Sequence, residues 1–360
     1  MRESPGRAPP AAGLARAAAR RPLPLVLVLC TVLLLAVMTV AIGIGPVPLS
    51  PAAVWHVLIS QATGHPDQSV AAEIVWQIRV PRVLLAALVG ATLTTAGTVV
   101  QVLVRNALAD PFLLGVSSGA SVGATAVLLL GALASLGLWA ISVGSIIGAL
   151  AAMLSVFAVT SRPGGRLAPT QLILCGVVMS AFYEAITSFL IFRGNPQATQ
   201  AVLFWLLGSF GLAAWSQLAA PAVVLLAALA YLLAQARPLN ALALGPEAAA
   251  SVGVDVRALR RNLFVVVSLM AGVAVAVSGV IGFVGLVVPH IVRLIVGSDH
   301  RRALPAGTLL GAAFMVLADL LARTVVAPQE MPIGVITAFI GAPVLLVLIR
   351  RRPYVYAAAE

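Results

Sequence analysis

The chain has 360 residues, 61% of them hydrophobic and 9% charged, with a mean hydropathy of +1.09. A soluble globular domain holds roughly 45–50% apolar and about 25% charged residues, so the composition excludes that class and points to a polytopic membrane protein. The formal net charge of +11 would suit a nucleic-acid binder in a soluble chain, but here the charges lie between apolar runs and report topology first.

Residues 1–22 are rich in Arg, Pro and Ala without an apolar period and read as a disordered cytoplasmic tail. The run 23–45 exceeds the h-region of a secretory signal, about 7–15 residues, and is predicted to be a retained first span. Further spans are predicted at 83–104, 113–133, 137–160, 169–192, 216–236, 262–280, 283–297, 304–326 and 333–349, ten in all. Each suits a helix crossing a hydrocarbon core of roughly 30 Å, with its backbone groups paired internally. The stretch 262–297 is too long for one crossing and is divided near Gly279, Gly282 and Gly285. LFWLLGSFGL, residues 203–212, is too short to span and is predicted to be an interfacial or re-entrant helix. One transmembrane domain, 23–352, is therefore predicted between the tail and a short C-terminal extension, 353–360.

Arginines divide by face. Those of the tail (Arg2, Arg7, Arg16, Arg20, Arg21), Arg105, the loops 161–168, 237–261 and 293–302, and Arg350, Arg351 and Arg352 fall on one side. Only Arg79, Arg82, Arg193 and Arg323 fall on the other, so the positive-inside bias places both termini in the cytoplasm of a cell-membrane protein. All 22 basic residues are arginine. Without lysine there is no Walker A loop and no Schiff-base chemistry, so any ATP that powers transport binds to another polypeptide. Cys30 and Cys175 lie in apolar runs as small hydrophobes, and His56, His65, His290 and His300 are scattered, so no metal site is predicted.

Polar segments interrupt this background. QIRVPR, residues 77–82, puts Arg79 and Arg82 at the mouth of the second span on the outer face, where they suit lipid phosphates or a partner. RNALADPFLLGVSSGA, residues 105–120, makes a cytoplasmic turn through Arg105, Asn106 and Asp110, with a new helix starting at Pro111. Within the spans Glu184, Asp319 and Arg323 are functional candidates by default. Asp319 and Arg323, four apart, share a helix face and suit a mutual pair, whereas Glu184 has no local partner and is either protonated or facing water.

LGPEAAASVGVDVRALRRN, residues 244–262, holds five charges. Leu244 and Gly245 lead to Pro246 at the first position of a short helix, with Glu247 at its positive end and Ala248 propagating it. Gly253 suits a left-handed terminus, and after Val254, Asp255 is placed to cap a second short helix through Arg257.

Taken together, QIRVPR, GATLTTAGTVVQVLVRNALADPFLLGVSSGA, LNALALGPEAAASVGVDV, GVIGFVGLVVPHIVRLIVGSDHRRALP and ADLLAR with EMPIGVITAFIGAPVLLVLIRR resemble, in order and spacing over about residues 70–352, the FecCD family of ABC importer permeases. The resemblance implies an all-α, type II importer bundle of about ten transmembrane helices. It implies pairing with a second permease, identical or homologous, two ATP-binding subunits below, and a solute-binding protein above. Under it Arg79, Arg82 and Arg323 match arginines that meet acidic residues of the binding protein, and residues 244–260 match the coupling helices that enter a groove on the ATPase. The chain itself is then non-catalytic and binds no cofactor, ATP and Mg residing on the partner. Ala107 departs from the family's usual Asn-Pro at this turn, Asn106 being kept. A ferric siderophore is the expected cargo, with haem or cobalamin next. The competing reading is a proton-coupled secondary transporter using Glu184 and Asp319 as relay carboxylates.

Overall fold

The computed structural model describes residues 22–351 except 46, 65, 66, 68 and 161–168. The predicted tail, the loop carrying Arg162 and Arg166, His65, Arg352 and the extension 353–360 therefore lie outside the described residues. The helices are α1 (Leu23–Gly43), α2 (Pro51–Ala62), α3 (Val80–Leu103), α4 (Val116–Leu130), α5 (Ala140–Thr160), α6 (Pro169–Arg193) and α7 (Pro196–Leu206). They continue as α8 (Ala219–Ala234), α9 (Ala236–Leu244), α10 (Pro246–Ser251), α11 (Val256–Ser278), α12 (Val284–Val296), α13 (His300–Thr324) and α14 (Ile333–Arg351). Among the described residues no strand occurs. Among the described residues seven helices are long and apolar enough to cross a membrane, and three shorter apolar ones, α4, α12 and α14, bring the total to the predicted ten.

The axis of the bundle is α3, whose residues, Arg82 and Gln101 near its ends apart, are apolar or small all round and almost all buried, as a helix without a polar face must be. It packs against α13, α11 and α12, while α4 pairs with α5. By contrast α1 leaves Leu25, Val28, Leu29, Val32 and Leu35 exposed, which suits lipid because hydrocarbon tails are as apolar as leucine. Close helix approach depends on paired glycines. A Cβ at Gly97 would fall inside the Gly285 carbonyl oxygen, and one at Gly119 inside that of Gly148.

Several boundaries move, each for a local reason. The second span begins well before residue 83: Val70–Ala72, capped by Ser69, runs through a π-helical turn, Glu73–Arg79, into α3. The wide turn precedes Pro81, which lacks an N–H and crowds the preceding turn of an ordinary helix. QIRVPR thus lies inside a continuous helix rather than at its mouth. The short outer helix is Pro196–Leu206, not 203–212, because Asn195 caps it through Ala198 N–H and Gly208 turns left-handed (φ 76°) just beyond its end. An additional helix, α2, starts where Ser50 accepts from Ala53 N–H and Pro51 takes the first position. Pro111 opens only a 3-10 turn, Pro111–Leu114, before Gly115 (φ 77°) redirects the chain into α4. Between α11 and α12 the break lies at Gly279 and Phe283, both at positive φ, while Gly285 is inside α12 and makes the close approach to α3.

Gly97→Val is expected to lower the melting temperature in detergent strongly, an overpacking cost of about 1–3 kcal/mol or more. Gly282→Ala, where a Cβ meets open space, is expected to leave it within a degree or so, since a substitution away from packed features stays within about 0.5 kcal/mol.

Candidate functional site

On the face that the charge bias makes external, three arginines from two helices converge. Arg82 Nε donates to Asp319 Oδ1 and Oδ2 at 3.0 and 3.2 Å, and its Nη1 donates to Glu330 Oε1 at 2.8 Å. Arg323 Nε stands 3.1 Å from Asp319 Oδ2, the i,i+4 pair that the spacing allowed. Its Nη2 and Nη1 reach Ala41 O and Ile44 O at 3.0 and 3.3 Å. Arg79 donates to Ile42 O, Gly43 O and Val47 O. The last carbonyls of α1, which a helix leaves without partners, are thereby satisfied by cations on the favourable end of the dipole.

These arginines are only 3%, 7% and 2% exposed (Arg79, Arg82, Arg323), and Asp319 1%. The expectation that they meet a binding protein directly does not fit this geometry, since their donors are turned inward onto α1, Asp319 and Glu330. The ionised group the cluster offers outward is Glu330, whose side chain is 38% exposed. Sequence reasoning passed over it, although its place in QEMPIG, between two apolar runs, marked an outer loop.

On the opposite face α9, packed on the core through Ala236, Leu239 and Leu242, leads into the short α10. Gly245 (φ 135°) separates them, and Gly253 (φ 81°) ends α10 with its N–H on Ala250 O, while Val254 N–H bonds Ala249 O, each at 3.0 Å. This double bond pattern closes a helix around a left-handed glycine. Asp255 Oδ1 accepts from Ala258 N–H at 2.9 Å as predicted. The helix it caps is not a separate short one but α11 itself, because Arg257 to Asn262 contain no breaker. Leu244 (79% exposed) and Val252 (67%) stand off the pair, with Glu247, Asp255 and Arg257 also exposed and Ala248 half-buried. Helix α9 was not foreseen. Its Asn240 donates to Asp299 Oδ1 at 2.7 Å and accepts from His300 N and Nδ1 at 2.9 and 2.6 Å.

The turn beside it is built from its own side chains. Asn106 Oδ1 accepts from Leu108 N–H and Asp110 Oδ1 from Phe112 N–H, both at 2.9 Å, with Arg105 exposed at φ 52°. Burial pushes the Asp110 carboxyl up to about 6 against the Phe112 N–H, which favours its ionised form. Asp110 lines a groove of about 580 Å³ with Ser117, Ser118, Ser180 and Glu184. Glu184 is exposed and accepts from Ser118 Oγ at 3.3 Å, a partner that sequence distance concealed. Glu184 and Asp319 are not brought together: Asp319 is enclosed by Arg82 and Arg323 and takes no part in this groove.

Three substitutions check these environments. Asp319→Ala, which strands two buried guanidiniums, is expected to destabilise the protein by about 3–5 kcal/mol, and Glu330→Ala, at the exposed end, by less than about 1 kcal/mol, as read by thermal unfolding in detergent. Because Asp110 is raised from 3.8 to about 6, the folded protein holds its proton more tightly than the unfolded chain. Its contribution to stability is therefore greatest below pH 3.8 and declines as pH rises through 6. Asp110→Asn, which keeps the acceptor, is expected to melt higher than wild type at pH 7.5 and to lose that advantage at pH 4.

Residues 33–351 match the FecCD transport family. The chain is 42% identical over 308 residues to the uncharacterized ABC transporter permease protein YvrB of Bacillus subtilis, covering 85% of this chain and 87% of that protein. It is 40% identical over 307 residues to the hemin transport system permease protein HmuU of Yersinia pestis, covering 84% and 89%. With the vitamin B12 import system permease protein BtuC of Klebsiella pneumoniae it shares 40% over 277 residues, covering 77% and 82%. A solved structure described as an inward-facing conformation of a metal-chelate type ABC transporter superposes with a TM-score of 0.79 at 32% identity, covering 91% of this chain and 99% of that one.

Proposed function

This chain belongs to the FecCD transport family and is a multi-pass ABC importer permease of the cell membrane, and we propose that it passes a ferric siderophore, or failing that haem or cobalamin, from a solute-binding protein to the cytoplasm. Two ATP-binding subunits carrying ATP and Mg drive it, a second permease copy or homologue completes the path, and this chain performs no chemistry itself. The observation that carries the reading is the α9–α10 segment. Apolar Leu244 and Val252 are exposed on either side of α10, which is closed at Gly253, beside exposed Glu247, Asp255 and Arg257. Exposed apolar residues ringed by charge suit a protein groove, and this one lies on the face where an ATPase would bind.

The groove beside Glu184 sets three serines and two carboxylates in a mainly apolar lining that includes Phe112, Val177, Val280 and Phe283, a surface not selective for one chelate, so selection falls to the binding protein. Docking of that protein is assigned to the outer surface around Glu330 and Arg193 and not to the inward-facing guanidiniums, which act by fixing the surface beneath. The proton-relay alternative loses its basis in Asp319. Two guanidiniums enclose that carboxylate, and Asp319 does not line the groove that holds Glu184.

The direct experiment is purification from native membranes in mild detergent. Recovery of an ATPase and a ligand-loaded binding protein supports the reading, and uptake that persists without ATP but collapses with the proton gradient overturns it. Gly253→Ile, which forces a β-branched residue into φ 81° at roughly 1–2 kcal/mol of local strain, is expected to leave insertion intact. ATP hydrolysis should continue while uptake drops by about tenfold or more, the ratio of cargo imported to ATP consumed being the measure, one tenfold step corresponding to about 1.4 kcal/mol.

A further inference from the structure

Between α9 and the cytoplasmic turn runs a series of polar contacts, the side-chain bonds of Asn240 and of Gln101 being joined through the backbone of the α12–α13 turn. It starts at Asn240, the polar residue in the otherwise apolar stretch LNALALG. Its amide donates to Asp299 Oδ1 and its carbonyl oxygen accepts from both the backbone N–H and Nδ1 of His300. An amide oxygen only accepts, so the His300 proton facing it sits on Nδ1. Asp299 in turn caps α13 through Arg301 N–H at 3.0 Å. Burial works against its charge, but the Asn240 amide and the Arg301 N–H hold Asp299 below the usual carboxylate range. One residue of α9 thus grips the whole α12–α13 turn.

The next link is Arg293, in the last turn of α12, whose carbonyl accepts from Gly297 N–H at 3.0 Å where the α12–α13 turn begins. Its Nη1 donates to Gln101 Oε1 at 2.7 Å, and Gln101 Nε2 donates to Gly285 O at 3.2 Å. Gln101 is 5% exposed, so its amide is fixed at both ends. The backbone oxygen of the same residue accepts from Asn106 N–H at 3.0 Å. Asn106 opens the turn that ends at Asp110 and Pro111, on the groove beside Glu184. Pro111 packs on Gly285, so the turn rests on α12 as well.

We propose that Asn240 is the positioning residue that carries displacement of the α9–α10 segment to the groove-lining turn, by way of Asp299 and His300, Arg293 and Gln101. The inference deepens the importer reading and rests on it, since that reading makes the segment the ATPase contact. The mechanical case is separate. Gly245 and Gly253 flank α10 with open space around them, whereas Asn240 ties α9 to a turn between two packed helices. Movement of the segment that keeps these bonds must move the α12–α13 turn, and α12 carries Arg293.

The test is hydrogen exchange on the full-length protein in lipid nanodiscs, with no partner needed. Asn240→Ala and Asn240→Asp, the latter opposing Asp299 with like charge, are expected to speed exchange at 297–303 and also at 101–110 by at least roughly fivefold, the low end of ordinary site-to-site coupling. The charge swap Asn240→Asp with Asp299→Asn restores the donor and acceptor and should return both regions to wild-type rates. In a Gln101→Leu background, Asn240→Ala should add nothing further at 101–110, the mark of a shared path. Changes confined to 236–244 and 297–303, or a response at 101–110 that survives Gln101→Leu, overturn the proposal. Failure of any ATPase to co-purify with the wild-type protein overturns the importer reading instead, and the exchange result stands apart from it.

Discussion

A helix that ends inside or at the edge of a membrane leaves its last carbonyls without partners, and lipid supplies none. In this protein the end of α1 is served by arginines from elsewhere in the chain. Arg79 reaches Ile42, Gly43 and Val47, and Arg323 reaches Ala41 and Ile44. Asp319 then balances Arg323 and Arg82 together, and Arg82 extends the set to Glu330. Remove the carbonyl end of α1 and these charges lose their acceptors; remove the charges and α1, which faces lipid along most of its length, loses its main polar tie to α3 and α13. The outer half of the bundle is organised around that exchange.

The same constraint explains why so many polar side chains lie between apolar helices. A buried guanidinium is tolerated only when its donors and its charge are met. Here the partners come from positions up to 282 residues away. Their job is to hold helix ends in register, and the surface used by a partner is the one they support.

This arrangement also sets what could be read from the sequence. Ten apolar runs, the glycine break after α11, the Pro246 start, the Gly253 terminus and the Asp255 cap were legible because each depends on residues within a turn of one another. The Asp319–Arg323 pair was legible for the same reason. The inward turn of Arg79 and Arg82 was not, because their acceptors are backbone atoms of α1 and carboxylates more than 230 residues on. Helix α9 was hidden for another reason. It follows α8 with a single residue, Gln235, between them, so the apolar pattern shows one span with a polar end. Helix α2 was missed because an amphipathic helix of 12 residues is too short to stand out as a span. Residues of the candidate site that lie on one short segment were found, and those joined only by the fold, Asn240, Asp299, Gln101 and Glu330, were not.

Glycine placement separates the part of the molecule that can move from the part that transmits. At Gly97 and Gly119 the neighbouring backbone fills the space a side chain would need, so α3, α4, α5 and α12 are locked in close contact. At Gly245 and Gly253 nothing lies within 4 Å of a side-chain position, and both hold backbone angles reserved largely for glycine. Close-packed interiors do not deform gradually; they shift as units. A displacement at the hinged α10 must therefore either be absorbed at its two glycines or pass as a rigid shift through α9, which is fastened to the bundle by its buried Leu239 and Leu242 and by polar bonds. Asn240 is where those bonds are, and the packed glycine contacts beyond it leave α12 and the turn on Gly285 little freedom to move separately.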